Sequence, residues 1–346
     1  MKLPQNGLKN TLINSLPVSS VPMSQQKTPP TFFTSLDQFL SSLPDTPEKT
    51  TTDASLLASY NNHYSMDLVG AGIARHHAIW KTEINTFRIV QQRWQATSRN
   101  GKVLIIVHGY FDHSALYGKL IRWGLAQGYD IHAFDLPGHG LSSGRPAAIE
   151  HFDEYSEVLS TIIQKEGYRQ YSLIGQSTGC AVIINSLLNK SLSSRLEPTP
   201  EHVILLAPLV RPFYWQRLRW LYRLLSVAIK SVKRLFVKSS HDDVFNHFLE
   251  KNDPLQTRKI PLCWLGAMDK WITTIQQFAP VDTIPTTIIQ GTKDVTVDWH
   301  YNHPQIKRCL PQTNIHFVEQ ACHHLVNESD PYWQGVISCL HRAESL

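Results

Sequence analysis

Along this chain, short apolar runs alternate with longer stretches in which apolar positions recur every three to four residues. The runs stand at Lys102–Val107, Asp130–Phe134, Tyr171–Ile174, His202–Leu206, Thr286–Gln290 and Ile315–Val318. Their near-continuous apolar character predicts central strands buried on both faces. Thr86–Ala96 alternates instead, which predicts an antiparallel strand near a sheet edge. Helical spacing separates most of the runs, at Ala115–Gln127, at Phe152–Glu166, at Thr178–Asn189 and after Pro331. Strands in alternation with helices predict an α/β fold with a mostly parallel, doubly wound sheet. Sites in such sheets sit at the carboxyl ends of the strands, and candidate chemistry is sought there.

The run Tyr171–Ile174 ends in Gly175-Gln176-Ser177-Thr178-Gly179, a match to G-x-S-x-G, and an apolar helical stretch follows. A bare match arises by chance in roughly one chain of this length in ten. The strand-to-helix context gives this one its weight. A serine on such a turn projects its hydroxyl where a base can reach it. Glycines two residues either side relieve crowding at the strained backbone. The N–H groups at the start of the following helix face a developing oxyanion.

Other strand ends supply partners. After Thr286–Gln290 comes Gly291-Thr292-Lys293-Asp294, with Asp298 further on. Asp294 lies nearer the strand end and suits an orienting acid, whereas Asp298 suits the cap of the next helix. After Ile315–Val318 comes His323-His324-Leu325-Val326-Asn327-Glu328, and a base is expected just past the last strand. With 17 histidines in the chain, position rather than residue type draws attention to His323 and its neighbour His324. His108-Gly109-Tyr110 follows Lys102–Val107, either as an ordinary strand-end turn or as part of an oxyanion loop. The loop Asp135-Leu136-Pro137-Gly138-His139-Gly140-Leu141-Ser142-Ser143-Gly144 lacks Gly-Lys-Ser/Thr and G-x-G-x-x-G, so it is expected to be a turn and not a phosphate cradle.

Charge changes the picture in one place. The net charge is +5, yet residues 211–240 hold eight basic residues and no acidic one: Arg211, Arg217, Arg219, Arg223, Lys230, Lys233, Arg234 and Lys238. Leu218, Leu221, Leu225, Ala228, Val232 and Leu235 recur there at helical spacing. Two readings follow: a helix with a solvated basic face, or an interfacial helix that meets anionic lipid with Trp215 and Trp220 at headgroup depth. A basic stripe also suits nucleic acid, but no nucleic-acid motif accompanies it.

Hydrophobic residues make up 42% of the chain and charged residues 18%, a balance ordinary for a globular protein with a large core. Five widely spaced cysteines without C-x-x-C fit reduced thiols. No run approaches the ~18 apolar residues of a membrane span, and Met1–Gly7 lacks the apolar core of a signal peptide. A cytoplasmic protein, peripheral to the membrane at most, is therefore expected. Residues 1–55 are rich in Ser, Thr, Pro and polar amides and are expected to be a largely irregular extension. Within them, Phe32–Leu40 has the pattern of an amphipathic turn or two.

With these residues in hand, the chain resembles the α/β-hydrolase superfamily over roughly residues 85–340. It is similar to the monoacylglycerol lipase and lysophospholipase branch, which is grouped with serine aminopeptidase-type hydrolases. His108-Gly109-Tyr110 with His113, the Asp135–Gly144 loop, Gly175–Gly179 and His323–Glu328 carry the resemblance, and the order Ser177…Asp294…His323 agrees with it. Thr178 is a mild departure, since a smaller residue often follows the nucleophile. The resemblance implies a core of residues 56–210 and 283–346, with a helical cap at 211–282 inserted after the sixth strand. It implies Ser177 as nucleophile, His323 as base and Asp294 as its orienting acid, with the backbone N–H groups of Tyr110 and Thr178 in the oxyanion hole. No cofactor or metal is expected. The implied activity is hydrolysis of a single-chain lipid ester, a lysophospholipid or monoacylglycerol, through an acyl-enzyme. Serine aminopeptidase or thioesterase activity on the same triad is the alternative, and a non-catalytic binding module stands behind both.

Overall fold

A computed structural model of the protein describes residues 29–51, 53–226 and 228–344. Two short helices, α1 (Thr31–Thr34) and α2 (Leu36–Ser42), come first, followed by α3 (Ala54–Tyr64). Residues 31–42 are thus helical where Phe32–Leu40 has the pattern of an amphipathic turn or two; residues 1–28 lie outside the described residues. The reason is aromatic packing. Phe32 and Phe39 are fully buried, and the Phe32 ring meets Tyr60 of α3 edge-on at 5.3 Å. Asp53 caps α3 by accepting the Leu56 N–H at 3.0 Å.

The sheet opens with a hairpin of β1 (Ala74–Ile84) and β2 (Phe87–Ala96). Ile84 pairs with Phe87, so Asn85-Thr86 forms the turn, and Asn85 takes φ 53. The remaining strands of the first half are β3 (Val103–Val107), β4 (Asp130–Phe134), β5 (Tyr171–Gln176) and β6 (Val203–Leu206). Between them run α4 (Gly118–Ala126), α5 (Phe152–Glu166), α6 (Thr178–Leu188) and the single turn α7 (Lys190–Ser193).

An insertion follows β6 and holds α8 (Trp215–Leu225), β7 (Ser231–Lys233), α9 (Asp243–His247), β8 (Lys259–Pro261) and α10 (Leu262–Gln277). The chain then returns to the sheet as β9 (Thr286–Gly291), α11 (Trp299–Cys309), β10 (Thr313–Val318) and α12 (Asp330–Glu344). The eight-stranded order is β1-β2-β4-β3-β5-β6-β9-β10. β1, β2 and β4 pair antiparallel, and every other neighbour pair in this sheet is parallel. This is an α/β-hydrolase fold with a helical cap after the sixth strand.

Strand alternation divides the core between the two faces. Leu104 and Ile106 of β3 join α1 to α4 and α12 on one side, whereas Ile105 and Val107 join α5, α6 and α10 on the other. Trp271 of α10 is buried and stacks on Phe152 of α5 at 5.5 Å, which seats the end of the insertion on the body.

The insertion departs from its sequence pattern. Apolar spacing predicts helix as far as Leu235, but α8 stops at Leu225 and residues 231–233 pair antiparallel with 259–261. A strand partner within the insertion overrides the local helical pattern. Nor do the apolar positions all face the body: Trp220 is 64% exposed, Leu224 59% and Leu235 78%. All five cysteines are free thiols. Among the described residues, no helix is long and apolar enough to cross a membrane.

Candidate active site

Ser177 lies between β5 and α6 at φ 54 and ψ −110. A non-glycine residue there costs about 1–3 kcal/mol, held by what surrounds it. Its N–H donates to Leu206 O at 2.8 Å, and its C=O accepts from Leu209 N–H at 3.2 Å. The glycines leave no room for substitutes. A β-carbon on Gly179 would stand 2.1 Å from Val107 O, and one on Gly175 would stand 2.7 Å from the Gly179 carbonyl carbon. The close approach of α6 to β3 is what G-x-S-x-G secures here. Ser177 keeps 7% of its surface, so access to it is narrow.

Asp294 stands three residues past β9 and His323 five past β10, at the carboxyl edge of the sheet. His323 Nδ1–H donates to Asp294 Oδ2 at 2.8 Å. That bond fixes the tautomer and leaves Nε2 as the acceptor nitrogen. Asp294 is held in turn: Oδ1 accepts Thr296 N–H at 2.8 Å and Val297 N–H at 3.2 Å, and Oδ2 accepts Gln290 Nε2 at 3.0 Å. Burial alone would push this carboxyl up, but His323 and these donors outweigh it and hold it below the ordinary carboxylate value. Asp298 accepts Tyr301 N–H at the start of α11 and pairs with Arg211 at 2.6 Å, so it is the helix cap its position suggested.

Two further groups brace this arrangement, and neither stood out in the sequence. Gln176 Nε2 donates to His323 O at 2.9 Å, which holds the His323 loop against the residue before Ser177. His303 Nε2 meets Gln290 Oε1 at 3.2 Å and so orients the amide that faces Asp294. His324, next in the chain, points elsewhere. Its Nε2 meets Asp112 Oδ2 at 3.1 Å, and the same oxygen accepts the Tyr117 hydroxyl at 2.9 Å.

The His108 loop comes up beside Ser177. A β-carbon on Gly109 would stand 3.6 Å from the Ser177 β-carbon. His108 Nε2 accepts Leu136 N–H at 2.9 Å, so its Nδ1–H donates to Gly109 O at 2.8 Å and shapes the turn. Tyr110 is anchored at both ends: its hydroxyl donates to Ala147 O at 2.8 Å and its ring stacks on Trp264 of α10 at 3.8 Å. Thr178 begins α6, and its hydroxyl is buried without a hydrogen-bond partner. Further along, His113 Nε2 meets Asp253 Oδ2 of the insertion at 3.1 Å, and Asp253 Oδ1 accepts Tyr64 Oη–H of α3 at 2.8 Å. This buried node joins the loop, the insertion and the N-terminal helices.

The Asp135–Gly144 segment is a turn wound on a carboxylate. Asp135 accepts Ser114 N–H at 2.8 Å and Leu141 N–H at 2.8 Å, while the Ser142 and Ser143 hydroxyls accept N–H groups of β2. A cleft of about 1030 Å³ opens beside it, walled by Phe33 and Leu36, by this turn and by residues 222–231 and 254–263 of the insertion. Ser177 and His323 are not among its walls.

The sequence model of the family described as serine aminopeptidase, S33 matches residues 98–330. A monoglyceride lipase homolog of Monkeypox virus is 27% identical over 253 residues, which cover 70% of this chain and 89% of that one. A probable lysophospholipase L2 of Haemophilus influenzae is 22% identical over 276 residues, 71% of this chain and 85% of its own. A solved structure of a soluble variant of the monoglyceride lipase of Saccharomyces cerevisiae, in complex with a substrate analog, is similar with TM-score 0.67. That likeness covers 78% of this chain and 95% of that one at 16% identity, and it is one of fold.

Proposed function

Because this chain belongs to the serine aminopeptidase, S33, family of α/β-hydrolases, we propose that it is a serine ester hydrolase whose substrate is a single-chain lipid ester. One observation carries the reading: an Asp294–His323 hydrogen bond of 2.8 Å, tethered through Gln176 to the strained turn that bears Ser177. His323 Nε2 takes the Ser177 proton as Oγ attacks the acyl carbonyl. The N–H groups of Tyr110 and Thr178 bind the oxyanion. The ester C–O bond then breaks, His323 returns its proton to the leaving alcohol, and water repeats the sequence on acyl-Ser177. In this reading residues 211–282 form the cap over a core of 56–210 and 283–346, and the five free thiols suit a reducing, cytoplasmic setting.

The lipase and lysophospholipase relatives support a lipid ester. An aminopeptidase needs an acid for the substrate's ammonium, and the buried acid of the insertion is already committed. Both oxygens of Asp253 accept from the chain itself, from Tyr64 and Leu255 N–H on one side and Gln256 and His113 on the other.

We further propose that the cap meets anionic membrane, by a smaller charge than the sequence suggests. Arg211 pairs with Asp298, Arg219 and Arg223 with Asp269, and Lys238 with Asp243. Arg234 lies over the Phe111 ring at 3.9 Å. Arg217, Lys230 and Lys233 have no ion pair among the described residues, and at ~1 kcal/mol each they contribute about 3 kcal/mol beside an anionic surface. The exposed Trp220, Leu224, Leu235 and Val237 supply the apolar part of the contact.

One experiment tests substrate and membrane together. Fatty-acid release is measured from a lysophospholipid and a monoacylglycerol in zwitterionic and in anionic vesicles, with an aminoacyl amide alongside. Both esters are cleaved, anionic vesicles raise the rate severalfold, and Trp220→Ser loses most of that gain. Release from the amide alone sinks the ester reading; equal rates in both vesicles sink the membrane contact.

A further inference from the structure

One group of donor atoms converges outside the proposed triad with no task in hydrolysis. His241, in the segment before α9, meets Cys322 and Glu328 of the loop that carries His323. One ligand atom from each lies within 4.8 Å of the other two. Cys322 Sγ is 3.6 Å from His241 Nδ1, and that nitrogen is 3.1 Å from Glu328 Oε1. A tetrahedral zinc ion, with Zn–S about 2.3 Å and Zn–N and Zn–O about 2.0–2.1 Å, sets sulfur and nitrogen about 3.5 Å apart and nitrogen and oxygen about 3.3 Å apart. These two pairs already stand near those separations.

We propose that His241, Cys322 and Glu328 form a site for Zn²⁺, with water in the fourth position. The donor set decides the class of ion, because thiolate and imidazole favour zinc over magnesium or calcium. Charge agrees: a thiolate and a carboxylate neutralise a divalent cation. On binding, the Cys322 thiol proton leaves to solvent, and the His241 proton sits on Nε2 so that the Nδ1 lone pair faces the metal.

The surroundings hold the donors in place. Glu328 is fully buried and accepts Cys322 N–H at 2.6 Å, His241 N–H at 2.8 Å and Ser329 N–H at 3.1 Å. The His241 ring stacks on Tyr332 of α12 at 4.3 Å. Its side chain remains 22% exposed, which gives an ion a way in. The ligands come from two segments joined by only a few bonds, among them His324 N–H to Ser239 O at 2.8 Å and Ser240 Oγ to Asn327 O at 2.7 Å. Bound zinc fastens the insertion to the loop that holds His323, one residue from Cys322. The proposal does not rest on the ester hydrolase reading.

The test uses the full chain and Zn²⁺ in a buffer with a phosphine reductant and no competing thiol. Equilibrium dialysis gives one ion per chain, zinc raises the unfolding temperature, and Co²⁺ in its place gives a thiolate charge-transfer band. Cys322→Ser abolishes the band, and Cys322→Ser and His241→Gln each weaken zinc binding by about tenfold or more, as loss of one ligand should. Magnesium has no effect. Two results overturn the site: no zinc bound by the wild type at micromolar concentration, or both variants binding as tightly as the wild type, which would place the ion on other thiols.

Discussion

Alanine in place of Ser177 should lower kcat for lipid-ester hydrolysis by about 10⁵- to 10⁶-fold, the loss expected when a triad nucleophile is removed. At about 1.4 kcal/mol per factor of ten, that is roughly 7–8 kcal/mol of transition-state stabilisation. The loss should be one of chemistry and not of folding. Ser177 holds its place through backbone bonds to Leu206 and Leu209, which alanine keeps, and the positive φ is as costly for serine as for alanine. The measurement is fatty-acid release alongside thermal unfolding: activity falls to the residue left by the oxyanion donors, and the unfolding temperature moves little. A variant that keeps a tenth of the wild-type rate would remove Ser177 from the mechanism.

Asparagine in place of Asp294 should cost about 10⁴-fold in kcat, with little change in KM, because it imposes the wrong histidine tautomer. The hydrogen bonds show why. Asp294 Oδ1 accepts Thr296 and Val297 N–H, so an asparagine keeps its carbonyl oxygen on that side. Its NH₂ then faces His323 Nδ1 and Gln290 Nε2, both of which donate to Asp294 Oδ2 in the wild type. Donor would meet donor. His323 relieves the conflict by moving its proton to Nε2, the nitrogen needed as a base. Nitrogen NMR of His323 gives a readout that simple misfolding would not, namely a proton on Nδ1 in the wild type and on Nε2 in Asp294→Asn. A rate within tenfold of wild type, with the tautomer unchanged, would remove Asp294 from this role.

Much of the fold was legible because parallel strands buried on both faces need unbroken apolar runs. The runs at 103–107, 130–134 and 171–176 are such strands, and each marks a loop of the candidate site. What escaped lies where one partner decides the outcome. β1 carries Arg75, His76 and His77 in its first turns of alternation, and only its pairing with β2 makes it a strand. Residues 231–233 follow a helical pattern yet become a strand because 259–261 lies alongside. Phe32–Leu40 showed an amphipathic pattern in a polar, proline-rich stretch, but not its partner, Tyr60, which gives Phe32 and Phe39 a core. At the site, spacing pointed to Ser177, Asp294 and His323 because each follows its own strand. Gln176, Gln290 and His303 had no such signal, since their part depends on distances across the sheet edge. The basic stretch at 211–240 shows the opposite fault: the sequence displays eight charges but not the acids that take up several of them.

The most direct test of the account is covalent capture of the nucleophile. The full chain is treated with a fluorophosphonate that mimics the tetrahedral intermediate, digested, and mapped by mass spectrometry. One adduct per chain is expected, on the peptide containing Ser177, with loss of ester hydrolysis in step with labelling and no adduct on Ser177→Ala. An adduct on another residue, or full hydrolysis of ester by unlabelled Ser177→Ala, would contradict the account.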